Sequence, residues 1–213
     1  METLATVSDT VPPFFDAAPD AGAAHLTIAV AGADELAMEI CRLGRAAGHD
    51  IVNLSERGRP DRDERWTQGV EWTRTLSGDP VEDSVIERSD VLVALSTASD
   101  LAALLEGVSR LELDRGPRRL VHVVASSDVP GEVPDRSESI ELVLPLLAAP
   151  PAELNESTPK APVDDAGDGR IPVGQAAMAV LRAAVEPDRE GHLGPDEVAE
   201  LGRSVMIVIF TGS

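Results

Sequence analysis

A chain of 213 residues, 43% of them hydrophobic, is long enough to bury one sizeable core and fits one domain with appendages better than two full domains. Its 38 Asp and Glu outweigh 18 Lys and Arg, giving a formal net charge of -20 spread from end to end. The basic face that a phosphate backbone needs is lacking, so nucleic acid is not expected as a partner. Cys41 is the only cysteine, which excludes an intramolecular disulfide and leaves a small buried thiol as its expected role.

Residues 1–24 are acidic, aperiodic and proline-containing, and read as a loose N-terminal arm whose one apolar cluster is Pro12-Pro13-Phe14-Phe15. The stretch 25–57 organises the chain. Leu26-Thr27-Ile28-Ala29-Val30-Ala31 reads as an apolar strand and Gly32-Ala33-Asp34 as a turn. A helical stretch carries Leu36, Ile40, Leu43, Ala46 and Ala47, and Asp50-Ile51-Val52-Asn53-Leu54-Ser55 is a second strand. Strand, glycine turn, helix and strand within about 30 residues is the opening unit of a parallel nucleotide-binding sheet, although ordinary strand-helix-strand packing has much the same pattern.

Residues 56–68 form a charged loop with Arg57, Arg59, Arg62 and Arg65, a local concentration of a charge scarce elsewhere. Gly69-Val70-Glu71-Trp72-Thr73 alternates as a short third strand with Trp72 facing the core. Ser77-Gly78-Asp79-Pro80 is a turn that can open a short helix ending before Ser89-Asp90. Val91-Leu92-Val93-Ala94-Leu95 is an unbroken apolar run, as expected of a strand covered on both faces. Ser96-Thr97-Ala98-Ser99 follows at the edge where open parallel sheets bind ligands. The next helix carries Leu101, Leu104, Leu105, Val108 and Leu111, with Gly107 as a point where it can split. Leu120-Val121-His122-Val123-Val124 is the fifth strand; it ends at Ser126 and Ser127, with His122 read as a packed, hydrogen-bonded histidine.

Residues 140–147 suit a helix or a sixth strand, and periodicity leaves both open. The Pro-, Asp- and Gly-rich residues 149–170 read as a long surface excursion. Val173, Ala176, Ala177, Val180, Leu181, Ala184 and Val185 make the clearest amphipathic helix, which Pro187 stops. Pro195-Asp196-Glu197 starts a short helix through Leu201, and Val205-Met206-Ile207-Val208-Ile209-Phe210 reads as a final strand. That last run is too short to cross a bilayer, and the acidic N-terminus with Glu2 and Asp9 does not resemble a secretory signal, so the expected location is the cytoplasm and no membrane partner is expected.

In this order the elements resemble the atypical short-chain dehydrogenase/reductase superfamily, in particular NAD(P)-binding proteins grouped with NAD-dependent epimerases and dehydratases. The matching residues are Val30-Ala31-Gly32-Ala33, Leu36-Ala37, Arg42 and Gly48-His49-Asp50-Ile51-Val52 running into Leu54-Ser55. Gly69-Val70-Glu71-Trp72 with Asp79-Pro80, Ser89-Asp90-Val91-Leu92-Val93 and Arg119-Leu120-Val121-His122-Val123 with Ser126-Ser127 come next. The last match is Gly169-Arg170-Ile171-Pro172-Val173 into Ala176-Ala177 and Leu181, then Pro187 and Gly191, so that the resemblance spans roughly residues 26–202. High acid content with Lys160 as the only lysine is similar to proteins of salt-loving archaea, in which molar salt screens self-repulsion.

The resemblance implies an α/β fold with a doubly wound, Rossmann-like parallel sheet over residues 25–213, and an NADP or NAD cofactor held at Gly32, Ala33, Ser55, Arg57, Ala94 and Leu95. It implies Ser126 or Ser127 as the residue that orients a small-molecule substrate, and it is compatible with a homodimer or a protein partner. At the second strand's end an acid suits a ribose hydroxyl and an arginine suits a 2'-phosphate; Ser55, Glu56 and Arg57 offer both, and Arg57 with Arg59 tilts the balance toward NADP. The chain departs from the family at two places. Of three spaced glycines only Gly32 is present, with Glu35 or its neighbour at the second place and Ala37, after a one-residue deletion, at the third. There is no tyrosine anywhere, and Lys160 lies in the proline-rich stretch, so the family's usual proton donor has no counterpart.

Other chemistries match less well. His25, His49, His122 and His192 have no metal-ligand spacing, and the calcium-loop flavour of Asp164, Asp168 and Gly169 fails at Ala166 and Gln175. Two functions remain open. One is an NAD(P)-binding reductase-like or epimerase-like oxidoreductase; the other is an inactive protein of that fold with a structural or regulatory role. An open phosphate-sized gap at Gly32 would favour the first, and Glu35 or Leu36 filling it the second.

Overall fold

The computed structural model describes residues 25–60, 65–74, 83–96, 98, 101–110, 116–125, 139–144, 147, 171–186 and 191–210. The arm 1–24, the excursion 149–170, and Ser126, Ser127 and Lys160 lie outside these. In chain order the elements are β1 (Thr27–Ala31), α1 (Glu35–Ala46), β2 (Asp50–Ser55), a 3-10 turn (Arg65–Gly69), β3 (Val70–Arg74), α2 (Asp83–Glu87) and β4 (Val91–Leu95). Then come α3 (Leu101–Arg110), β5 (Arg119–Ala125), β6 (Ser139–Leu144), α4 (Val173–Val185), β7 (Gly191–Leu193) and α5 (Pro195–Phe210).

The strands form one sheet in the order β3-β2-β1-β4-β5-β6-β7, and every pairing is parallel. Chain direction across the sheet reverses between β1 and β4, so the fold is the doubly wound, Rossmann-like arrangement expected from the alternating strand and helix signals. Alternate side chains of the central strands feed two separate cores. Ile28, Val30, Val93 and Val121 pack with α1, α4 and α5 on one face, while Ala29, Ala31, Leu92 and Ala94 pack with α2 and α3 on the other. This two-sided burial is why β1 and β4 read as unbroken apolar runs. Each fully buried Ile or Leu on these strands adds about 1.5–3 kcal/mol.

Small residues let the helices approach one another. Alanines 176, 177, 179, 183 and 184 of α4 are buried, and a Cβ placed on Gly44 of α1 would lie 2.7 Å from Ile51 Cδ1 and 3.3 Å from Leu181 Cδ2. The carboxyl end of α4 is held by buried Arg119 of β5, whose Nη1 donates to the Ala183 carbonyl at 2.9 Å and also to that of Glu186. A cation on the free carbonyls of a helix end answers both their hydrogen-bonding need and the helix dipole.

Residues 139–144 form a strand, and Gly107 does not split α3. The expected terminal strand is corrected: residues 205–210 continue α5 as helix, and the sheet's last position is taken by β7. The helix is nucleated by Pro195 with Asp196 and Glu197 in its first turn, and the Glu197 carboxylate accepts the Gly194 N–H at 2.9 Å. No proline follows to stop it. In the body of α5, Gly202 sits against α4, so that a Cβ there would lie 2.5 Å from the Gln175 carbonyl oxygen. Gly202→Ala is therefore expected to push the two helices apart and cost about 1–3 kcal/mol of stability, read from urea unfolding in molar potassium chloride. An unchanged midpoint would mean that α5 does not need this close approach.

Candidate functional site

Strand order reverses between β1 and β4, and at such a switch point the ligands of open α/β sheets bind beyond the carboxyl ends of the strands. Ala31 and Ala94 are in register there, and Gly32 follows beside Leu95. Gly32 has φ +151, and a Cβ on it would lie 2.7 Å from Leu95 Cδ1 and 3.3 Å from the Ala37 methyl. Glycine is needed there both for its backbone angle and for want of space. The turn is fastened to β2 twice. The Gly32 N–H donates to the Leu54 carbonyl at 3.0 Å, and the Asn53 amide nitrogen donates to the carbonyls of Gly32 at 3.0 Å and Val30 at 3.2 Å.

Asn53 is fully buried and its Oδ1 has no hydrogen-bond partner. Its amide nitrogen also lies 3.7 Å from the sulfur of Cys41. Burial pushes the Cys41 thiol up to about 12, against a smaller downward pull from the Asn53 bond, so it stays protonated and unreactive. Cys41 is the packed thiol the sequence suggests.

The place of the family's second glycine is taken by Asp34. It is the N-cap of α1, in an extended conformation, and its Oδ1 accepts the Ala37 N–H at 2.8 Å. Gly32, Asp34 and Ala37 stand at the first, third and sixth places of the turn, so no deletion is needed to place Ala37. Neither Glu35 nor Leu36 covers Gly32: Glu35 is exposed, Leu36 points into the core, and Leu95 is the side chain pressed on the glycine.

The remaining expected residues divide. Ala94 and Leu95 are buried at the end of β4 and contribute packing. Ser55 is buried too, and its hydroxyl accepts the Gly58 N–H at 3.2 Å, so it belongs to the turn after β2. Arg57 is exposed at that same sheet edge. Ser126 and Ser127 follow Ala125, the last residue of β5, and fall outside the described residues.

Two polar features were not picked out from the sequence. Asn53 was legible only as a polar residue inside an apolar strand. The other is a row across three strands, in which His122 of β5, Glu141 of β6 and His192 of β7 are in register. Glu141 Oε1 is 2.9 Å from His192 Nδ1, and Oε2 is 3.7 Å from Nδ1 of buried His122, whose ring nitrogens make no hydrogen bond, so His122 is packed as expected but not hydrogen-bonded as expected. No sequence spacing announces such a row, because strand order creates it. Among the described residues no group of three His, Cys, Asp or Glu is placed to hold a metal ion, and no helix is long and apolar enough to cross a membrane.

No protein-family model and no curated protein matches the chain. Among solved structures it is similar to a short-chain dehydrogenase from Streptomyces avermitilis at 12% identity and a TM-score of 0.49, over 90% of this chain and 95% of that one. The class defined by sheet order and crevice is a Rossmann-like α/β protein.

Removing the cap in Asp34→Ala is expected to cost about 1 kcal/mol, measured by denaturant unfolding; no change would mean that solvent serves the Ala37 N–H equally well. Burial holds the His122 ring below its ordinary 6.5, with Glu141 pulling the other way. The fold thus favours the neutral ring, so this contribution is complete above pH 6.5 and is lost as the pH falls through the lower folded value. His122→Leu should flatten the stability loss on the acid side of pH 6.5 in unfolding series; an unaltered slope would assign that loss to other groups.

Proposed function

We propose that the chain binds a nicotinamide dinucleotide, NADP in preference to NAD, in the crevice between β1 and β4, and that it does so without the tyrosine-lysine proton transfer of short-chain dehydrogenases. The observation that carries this reading is the Gly32 turn, which leads into the amino end of α1 where the sheet reverses direction. Gly32 and Ala33 would lie against the pyrophosphate, Ala94 and Leu95 would floor the crevice, and Ser55 and Arg57 would stand at the adenosine ribose. The exposed guanidinium of Arg57 suits a 2'-phosphate. Ser126 or Ser127 would orient a small-molecule substrate. The cofactor would supply hydride chemistry; with no tyrosine in the chain, the residues named here bind and orient and supply no proton.

The backbone fits such a ligand on one condition. The Asp34 carboxylate already accepts the Ala37 N–H, so a phosphate at the head of α1 must displace it or avoid it. That contact favours a second reading, a catalytically inactive Rossmann-like protein with a structural or regulatory role. Within the first reading, the epimerase-like branch of the superfamily, a salt-adapted archaeal origin and a cytoplasmic location are the finer assignments. Acidic excess and near absence of lysine support the salt adaptation.

The test is a titration of NADP, then NAD, into folded protein in molar potassium chloride, read by calorimetry and by ligand-induced thermal shift. Saturable binding with NADP ahead of NAD, and loss of that preference in Arg57→Ala, is the expected outcome. No binding of either dinucleotide would support the second reading.

A further inference from the structure

A second concavity lies outside the crevice, on the flank of α1 that faces the β2–β3 connection. It is a hollow of about 210 Å³, with Trp66, Met38 and Pro60 as apolar wall and Glu35, Glu39 and Arg42 as polar lining. We propose that it is a binding site for a small organic monocation, a trimethylammonium or alkylammonium head group seated between the Trp66 indole and the Glu35 carboxylate. This does not rest on the dinucleotide reading.

Charge decides the class of ligand. The Arg42 guanidinium holds Glu39 with two of its nitrogens, Nε to Oε2 at 2.8 Å and Nη2 to Oε1 at 2.6 Å, an ion pair within the lining. The Arg42 fork is thereby spent on Glu39, which argues against an anionic ligand. Glu35 is exposed, and its carboxylate has no hydrogen-bond or ion-pair partner among the described residues. Among the described lining residues, Glu35 is thus the carboxylate without a partner, and it shares the hollow with an aromatic ring. An indole next to a carboxylate is the chemistry that recognises an ammonium ion, and the thioether of Met38 and the ring of Pro60 suit its methyl groups.

The wall is also braced. Trp66 and Trp72 lie with ring centroids 6.1 Å apart at 57°. Trp72 Nε1 donates to the Thr67 carbonyl at 2.9 Å, and Arg59 donates to the Thr67 hydroxyl at 3.4 Å. These bonds tie the 3-10 turn carrying Trp66 to β3 and to the loop after β2, so that the ring is positioned before a ligand arrives. Glu35 in the first turn of α1 also complements the helix dipole, but that role would be served equally by a residue facing away from the hollow.

The composition supplies a clean reporter, since the chain has 2 tryptophans and no tyrosine. The intrinsic fluorescence therefore comes from Trp66 and Trp72 alone. Choline and its neutral isostere 3,3-dimethylbutan-1-ol are titrated into the unaltered chain at fixed potassium chloride. Binding to this chain, and to Glu35→Gln and Trp66→Leu, is followed by saturation-transfer NMR on the ligand methyl protons. The expected result is saturable choline binding with a midpoint of roughly 1–10 mM and at least about five-fold weaker binding of the isostere. Glu35→Gln should weaken choline severalfold and leave the isostere unaffected, and Trp66→Leu should abolish the choline signal. Equal binding of the two ligands would make the hollow an ordinary apolar groove and overturn the proposal. So would a choline affinity indifferent to Glu35→Gln, a substitution at an exposed site that leaves the core untouched, or the absence of saturable binding up to about 100 mM.

Discussion

The structure depends most on the fastening of the Gly32 turn to β2. One buried amide, Asn53, donates to the Val30 and Gly32 carbonyls at the end of β1, and the Gly32 N–H returns a bond to Leu54. These contacts fix where β1 ends and where α1 begins, and so define one wall of the crevice. Leu95 packs directly on this turn, close enough that any side chain at Gly32 would collide with it. An unmatched Oδ1 accompanies the arrangement; a buried acceptor without a partner costs about 1–3 kcal/mol, a cost the fold carries to hold the turn.

Within that frame, the most telling residue is Asp34. A helix amino end attracts negative charge, and in this chain the attraction is answered from within by the cap carboxylate. Sheet order and glycine thus recommend the crevice for a phosphate, while the residue at the third place of the same turn competes with one. The reading as a dinucleotide-binding protein and the reading as an inactive relative of that fold differ on this one contact more than on the missing tyrosine, which bears only on chemistry after binding. The flank of α1 offers a different surface, where Trp66 and Glu35 line one hollow and Glu35 has no partner among the described residues.

Acidic composition pervades the surface and not the core. Most buried groups are apolar, and the exceptions have structural work, as with Arg119 beneath α4 and Ser55 in the β2 turn. The one lysine and the excess of carboxylates therefore bear on hydration and self-repulsion, which salt screens, and leave the fold to the apolar pattern.

Much of the fold was legible in the residues because burial on both faces leaves a mark that local sequence carries. The runs 28–31 and 91–95, the helical spacing of Leu36, Ile40 and Leu43, and the stripe along α4 each announce an element, and their alternation implies a parallel sheet. Gly32 was legible too, since only glycine tolerates that angle and that closeness. What the sequence could not determine is whatever depends on which strands become neighbours and on which element a featureless apolar run joins. Residues 205–210 suit a strand by composition, yet they extend α5, because a helix once nucleated at Pro195 propagates more cheaply than a new strand starts. The row His122, Glu141 and His192 and the hollow beside Trp66 exist only because tertiary packing brings together residues that no sequence spacing relates.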